Sequence, residues 1–462
     1  MMSLHALSPL DGRYEKETSP LRDFFSEFAY LKTRARLELD YLTALSKTGI
    51  ISSEALSGYK PDLQNFTDED ANKIQEYEKT TRHDVKAIEY FLRDKIMESA
   101  SLLARSQEQA PALQILPYIH FGLTSEDINN IAQAIALKDS RDQVLLPALD
   151  NIISSLTEFA RKHRATPMLA RTHGQPAVPT TLGKEVAVYI VRLKKCRAEI
   201  ASHKFEAKLT GAVGNFNAFY AAYPEIDWIG FSKEFIESLE LEPNPVTSQI
   251  LPYDNWIRYF QAIQLANSIL IDLAQDMWRY ISDGLLKQKV IEGEVGSSTM
   301  PQKVNPIHFE NAEGNLGIAN ALLAHYAQKL TISRLQRDLS DSTVRRTFGT
   351  TLGHTLLAWN NIIRGMSRVD ADEEKLKSEL NAHWEVISEG AQTILRAAGK
   401  SDAYESLKSQ TRGSQMDGDS YRLWVEALDV EEKTRERLMS LSPETYIGVA
   451  IQITDSVIAN ER

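Results

Sequence analysis

Cysteine is nearly absent: Cys196 is the only one among 462 residues, so no disulfide can form within the chain. A fold that depends on covalent staples is excluded, and a reducing, cytoplasmic setting is expected. No apolar run approaches the roughly 18–20 residues that a membrane-spanning helix needs, so no such helix is expected. The first residues show no basic stretch followed by an apolar one, and a secretory signal is not expected either. Positive charge is also short. Against 63 Asp and Glu stand 52 Lys and Arg, a formal net charge of −11 with no basic tail. A chain of that sign repels phosphate backbones and anionic bilayers on average, which excludes nucleic acid and membrane surfaces as general partners. A local basic cluster for a small anionic substrate stays open. Metal-ligand spacing is missing too: there is no His-x-x-x-His, no cysteine pair, no EF-hand and no P-loop. The Gly211-Ala212-Val213-Gly214 run follows no strand pattern and is no dinucleotide fingerprint. Neither a metal nor a cofactor is expected.

Period-two strand patterns are almost absent as well, and helical spacing fills their place. Leu182, Val186, Tyr189, Leu193, Cys196 and Ile200 follow steps of four and three, as do Leu145, Leu149, Ile152, Leu156 and Phe159. No Gly or Pro lies between Gly183 and Gly211, which allows a helix of roughly 25 residues and about 40 Å. Residues 256–283 form a comparable run. With 43% hydrophobic and 25% charged residues, the composition is that of an ordinary globular protein. The expected fold class is all-α, with three domains around a central bundle of long antiparallel helices. Residues 1–113 mix short helices with turns, residues 114–366 hold the long helices, and residues 367–462 carry shorter, charged helical runs and a polar stretch over 411–419. Long helices with apolar residues on more than one face call for partners beyond one chain, so a homo-oligomer is expected.

Between two long helical runs lies Gly293-Glu294-Val295-Gly296-Ser297-Ser298-Thr299-Met300-Pro301-Gln302-Lys303-Val304-Asn305-Pro306. Segments rich in Ser, Gly and Pro are often plain connectors. This one is longer than the usual helix–helix link and adds a cation, Lys303, to hydroxyls and free N–H groups, a combination suited to an anionic ligand.

Four other segments carry candidate chemistry, and each also has an ordinary reading. Arg171-Thr172-His173-Gly174-Gln175-Pro176 sets a histidine between turn formers, as a surface loop residue or a general acid/base. In Thr80-Thr81-Arg82-His83-Asp84-Val85, Asp84 can orient His83 through a ring N–H; alternatively Thr81 or Asp84 caps the helix that starts there. Thr124 with Asp127 resembles a capping box, and a helix start that presents Thr124 and Ser125 is also an anion site. The segment 333–346 concentrates four arginines, suited to phosphate or carboxylate. It reads equally as a charged helix face with i,i+4 pairs such as Arg337–Asp341.

Gly-Ser-Ser-x-Met-Pro-x-Lys-x-Asn-Pro resembles the signature loop of the fumarase/aspartase superfamily of lyases. With Ser8-Pro9-Leu10-Asp11-Gly12-Arg13-Tyr14, Arg82-His83-Asp84-Val85, Thr124-Ser125-Glu126-Asp127, Arg171-Thr172-His173-Gly174-Gln175-Pro176, Gln249 and the 337–343 run, the whole chain is similar to the bacterial-type adenylosuccinate lyases. That resemblance implies an all-helical, three-domain homotetramer whose active sites are shared between subunits. The activity it implies is elimination of fumarate from adenylosuccinate, giving AMP, and from the succinyl-carboxamide ribotide of purine synthesis. It implies Ser297 as general base and His173 as general acid, with Lys303 and Asn305 holding the charge that builds on a carboxylate. His83 then supports the phosphate or the leaving nitrogen. Arg13, Tyr14, Arg337, Ser342 and Arg346 take the nucleotide phosphate, and Thr124 and Ser125 the succinyl carboxylates. Arg82, Asp84 and Gln249 complete the substrate contacts. Many members carry His where Gln302 stands, and Met-Pro-Gln-Lys is common in argininosuccinate lyases, which are the alternative within the superfamily. A catalytically silent helical scaffold is the alternative outside enzymes.

Overall fold

The computed structural model describes residues 4–52, 55–56, 65–104, 111–289, 300, 303–400 and 416–459. Ser297, most of the 293–306 loop and residues 411–415 lie outside them. The chain is all-α apart from short strand pairs. It divides into two compact units, residues 1–147, 198–265 and 318–357 in the first, and residues 148–197, 266–317 and 358–462 in the second.

The elements that position the site come in chain order. They are α1 (Glu27–Ser46), α2 (Asp68–Thr81), α3 (Asp84–Ala104), α4 (Ser125–Ser140), α5 (Leu146–Lys162), β1 (Pro167–Thr172), β2 (Gln175–Thr181) and α6 (Leu182–Ser202). There follow α7 (Asp254–Ser282), α8 (Ile307–Lys329), α9 (Ser340–Arg345) and α10 (Phe348–Arg368). The expected long runs over 183–211 and 256–283 appear as α6 and α7. Helix α6 stops at Ser202, well short of Gly211. Beyond it, Asn255 accepts from the Glu206 N–H (3.1 Å) and donates to the Lys204 carbonyl (3.0 Å), and the Lys208 N–H donates to Asn130 Oδ1 (2.8 Å). Those tertiary bonds take backbone groups that a continued helix would need.

Within the first unit, Trp256, Phe260, Tyr326 and Phe348 form a buried aromatic cluster with ring centroids 4.8–6.3 Å apart, joining α7, α8 and the start of α10. Truncating such a ring to alanine typically costs about 3–5 kcal/mol. Within the second unit the long helices run antiparallel. Tyr189 meets Asp276 and Arg192 meets Asp272 between α6 and α7, and Gln275 meets Glu313 and Trp278 meets Glu310 between α7 and α8. In each pair one number rises as the other falls. A further core of this unit gathers Leu380, Ile387, Leu395, Tyr421, Val425 and Leu438 around Leu169.

The β1–β2 hairpin departs from the near-absence of strands in the sequence pattern. Pro167 pairs with Thr181 and Thr172 with Gln175, around a bulge between Leu169 and Arg171. Pro176 and Pro179 contribute no N–H, which blurs the alternation that would have marked β2. Burial of Met168, Leu169, Thr180 and Thr181 holds the pair in place.

Candidate functional site

A cavity of about 860 Å³ opens in the first unit, lined by residues from four separate stretches of chain. Arg82, His83, Asp84, Thr124, Ser125, Gln249, Arg337, Ser342 and Arg346 all line it. Nine residues singled out in the sequence therefore share one hollow, of a size suited to a nucleotide.

Arg82 and His83 form the elbow between α2 and α3. Arg82 takes the left-handed conformation (φ 50°) that ends α2, with its N–H donating to the Glu78 carbonyl at 2.7 Å. The His83 Nδ1 accepts from the Lys86 backbone N–H (3.1 Å), so the ring proton sits on Nε2, which donates to Ser125 Oγ at 3.4 Å. Asp84 does not orient the ring: its carboxylate is 4.0 Å from Nδ1. It instead accepts from Arg34 (2.5 Å) and from the Val85 N–H (2.8 Å). Burial by itself would raise the Asp84 pKa, but the Arg34 guanidinium outweighs it and holds the carboxyl below its usual range. Arg34 is 1% exposed, stacks on Tyr30 at 4.0 Å and also reaches Asn129, another residue of the cavity wall.

Thr124 and Ser125 begin α4. The capping-box expectation holds on the Asp side, where Asp127 accepts from the Thr124 N–H at 2.9 Å. Asp127 does far more than cap. At 0% exposure it also accepts from the Thr210 and Gly211 N–H groups (3.0 and 3.2 Å) and pairs with the equally buried Lys208 (2.9 Å). This pins the 208–211 segment to the start of α4. Farther along that loop, the Ala212 carbonyl accepts from Gln249 Nε2 (3.0 Å), which leaves Gln249 Oε1 to receive Arg337 at 3.2 Å.

The arginine segment is a loop that ends in the short helix α9. Asp341 pairs with Arg345 (2.8 Å), not with Arg337. Arg337 lies 3.3 Å from the fully buried Glu126, which also meets Arg345 at 2.9 Å and accepts from the Tyr253 hydroxyl at 3.1 Å. Burial opposes the Arg345 charge, yet Glu126 and Asp341 more than offset it and keep the guanidinium firmly protonated. Arg82 and Arg346, by contrast, have no ion pair among the described residues, so their charges are uncommitted toward the cavity. Two of its cations thus stand ready for an anion in a chain that is acidic overall.

Arg13 and Tyr14 do not line this cavity. Tyr14 precedes the short helix Glu15–Thr18, and the Arg13 guanidinium sits 5.9 Å from its ring centroid. The segment that follows shares a smaller hollow of about 250 Å³ with Arg346. His173, Lys303 and Asn305 belong to the second unit. His173 and Gly174 occupy the two-residue tip of the hairpin with φ 53° and 74°, the geometry of a type I′ turn, and the imidazole is exposed. Lys303, also exposed, donates its N–H to the Met300 carbonyl (3.0 Å), and Asn305 lies just before α8. Among the described residues no group of three or more metal-ligating side chains occurs.

Sequence reasoning missed Glu78, Asn129 and Asp338 in the cavity wall, and the buried set Glu126, Lys208, Tyr253 and Arg345 behind it. Nothing local separates Arg345 from Arg346; only the packing of α9 buries the first and exposes the second.

Comparison with known proteins covers nearly the whole chain. Residues 12–319 match the family model described as "Lyase", and residues 333–447 the one described as "Adenylosuccinate lyase C-terminal". The adenylosuccinate lyase of Vibrio cholerae is 45% identical over 99% of this chain and 100% of its own length. Those of Haemophilus influenzae and Escherichia coli K12 are 44% and 43% identical, each over 99% of both chains. Among solved structures, a fumarate lyase from Mesorhizobium sp. BNC1 superposes with a TM-score of 0.74 at 17% identity, covering 96% of this chain and 98% of that one. The 3-carboxy-cis,cis-muconate lactonizing enzyme of Pseudomonas putida gives 0.72 at 18%, covering 96% of each. At those identities the two structures speak to the fold alone.

Proposed function

The chain belongs to the adenylosuccinate lyase family, within the fumarase/aspartase superfamily, and from that premise we propose how its residues divide the reaction. The substrate is adenylosuccinate, cleaved to AMP and fumarate, and the succinyl-carboxamide ribotide of purine synthesis undergoes the same elimination. Ser297 removes the Cβ proton of the succinyl arm. The electrons of that C–H bond form the C=C bond of fumarate as the C–N bond breaks, and His173 protonates the departing nitrogen. A serine hydroxyl is a poor base unless its alkoxide is stabilised, a task suited to loop N–H groups and Lys303. Lys303 and Asn305 also hold the extra charge that develops on the succinyl carboxylate.

Phosphate falls to Arg337, Ser342 and Arg346 in the cavity wall, and Arg13 and Tyr14, outside that wall, are assigned to it by family membership. Thr124 and Ser125 take the succinyl carboxylates, and Arg82, His83, Asp84 and Gln249 complete the contacts. The observation that carries this reading is the single cavity lined by nine of these residues, with Arg82 and Arg346 lacking any ion pair among the described residues. A homotetramer with shared active sites is part of the same reading, supported by exposed apolar side chains on the long helices: Val188, Val191, Leu265 and Ile318 are 37–52% exposed. A cytoplasmic location is part of the same reading.

The test is direct. Purified protein given adenylosuccinate should release fumarate and AMP in equal amounts, and argininosuccinate should stay intact. Turnover of argininosuccinate in its place overturns the assignment.

A further inference from the structure

Three carboxylates line the cavity: Glu78, Asp84 and Asp338. Two are spoken for. Asp84 is held by Arg34 and the Val85 N–H. Asp338 accepts from the backbone N–H groups of Ser340 (2.8 Å) and Arg334 (3.0 Å) and from the Ser340 hydroxyl. Glu78 has neither a side-chain hydrogen bond nor an ion pair among the described residues.

Its position gives the helix no benefit. Glu78 lies in the last turn of α2, where exposed carbonyls make the local field negative and a carboxylate is unfavourable. An uncommitted acid is also out of place in a hollow meant for a phosphate and two carboxylates, since like charges repel. It becomes favourable only where the ligand brings hydrogen-bond donors. On the substrate proposed above, the donors are the two ribose hydroxyls and the nitrogen that links the succinyl arm. The ribose lies next to the phosphate, and Glu78 is the only cavity carboxylate among the described residues with all its acceptor sites open.

We propose that Glu78 is a specificity-determining residue that accepts hydrogen bonds from the ribose hydroxyls of the substrate and so selects ribonucleotides over deoxyribonucleotides. This rests on the cavity being the nucleotide site. A site built to bond a hydroxyl discriminates against the analogue that lacks it, because its own polar group is then left buried and unpaired.

The experiment measures kcat and KM for adenylosuccinate and for its 2′-deoxy and 3′-deoxy forms, with the wild-type protein and with Glu78→Gln and Glu78→Ala. The wild type should favour the ribonucleotide over at least one deoxy form by about 10–100-fold in kcat/KM, the range for a hydrogen bond to a charged group. In Glu78→Ala that preference should collapse, through a higher KM for the ribonucleotide at nearly constant kcat. Glu78→Gln, which keeps one acceptor oxygen, should fall between the two. Melting temperatures should not fall, as expected for a side chain that does not support its helix. A preference retained in Glu78→Ala, or an equal loss on all three substrates, overturns the proposal. If the wild type fails to cleave adenylosuccinate at all, the fault lies with the functional reading and not with Glu78.

Discussion

Replacing Lys208 by methionine tests the frame behind the cavity. Lys208 and Asp127 are both 0% exposed and sit 2.9 Å apart. The ammonium also donates to the Gly211 carbonyl (3.0 Å) and Thr210 Oγ1 (3.3 Å). Methionine keeps most of the aliphatic stem, so little cavity opens, and the loss is electrostatic. Breaking a buried pair by removing one partner costs about 3–5 kcal/mol, because the other charge is left without compensation. Here Asp127 retains three backbone donors, the N–H groups of Thr124, Thr210 and Gly211, which argues for the lower end of that range. The expected destabilisation is therefore about 3 kcal/mol. Asp127→Asn should cost more, about 5 kcal/mol, since it strands the lysine and also turns an amide NH₂ toward backbone donors. Urea titrations followed by circular dichroism, with a common slope for wild type and variants, measure both. A Lys208→Met variant within 1 kcal/mol of wild type, or one less stable than Asp127→Asn, would refute the reasoning.

Ser297→Ala should leave the oligomer intact by light scattering while lowering kcat by about 10²–10⁴-fold, the usual contribution of a positioned base; unchanged turnover would reject Ser297 as the base. Gly214 has φ 84°, and a Cβ there would lie 2.0 Å from the Thr247 carbonyl oxygen, so Gly214→Ala should destabilise by about 3 kcal/mol or more, read from thermal melts. His203 is pushed down from 6.5 to about 4, by burial first, with the hydrogen bond to Asn255 opposing. The unfolded chain then binds the extra proton between those values, so stability is full above pH 6.5 and falls as pH drops toward 4. His203→Gln should flatten that slope in urea midpoints taken across the range, and an unaltered slope would point to another group.

Much of this protein was legible in one dimension because helical periodicity and loop chemistry are local properties. The spacing of apolar residues over 182–200 and 256–283 marks α6 and α7, and the cap at Thr124 and Asp127 is written in four consecutive residues. The hairpin around His173 was not legible, since prolines interrupt its alternation and its strands persist only through burial against the second unit's own core. The end of α6 was hidden for a related reason: the backbone groups beyond it are claimed by Asn255 and Asn130, partners far away in sequence.

The cluster of nine cavity residues divides along the same line. Their types, and the anionic ligand those types suit, follow from composition and motif. That Arg345 is buried against Glu126 while its neighbour Arg346 faces the hollow, that Asp84 answers to Arg34 and not to His83, and that Glu78 alone among the cavity carboxylates keeps its oxygens free among the described residues are matters of tertiary packing. A charge is cheap in water and costly in the interior, so its role depends on which distant partner reaches it, and only the folded chain decides that.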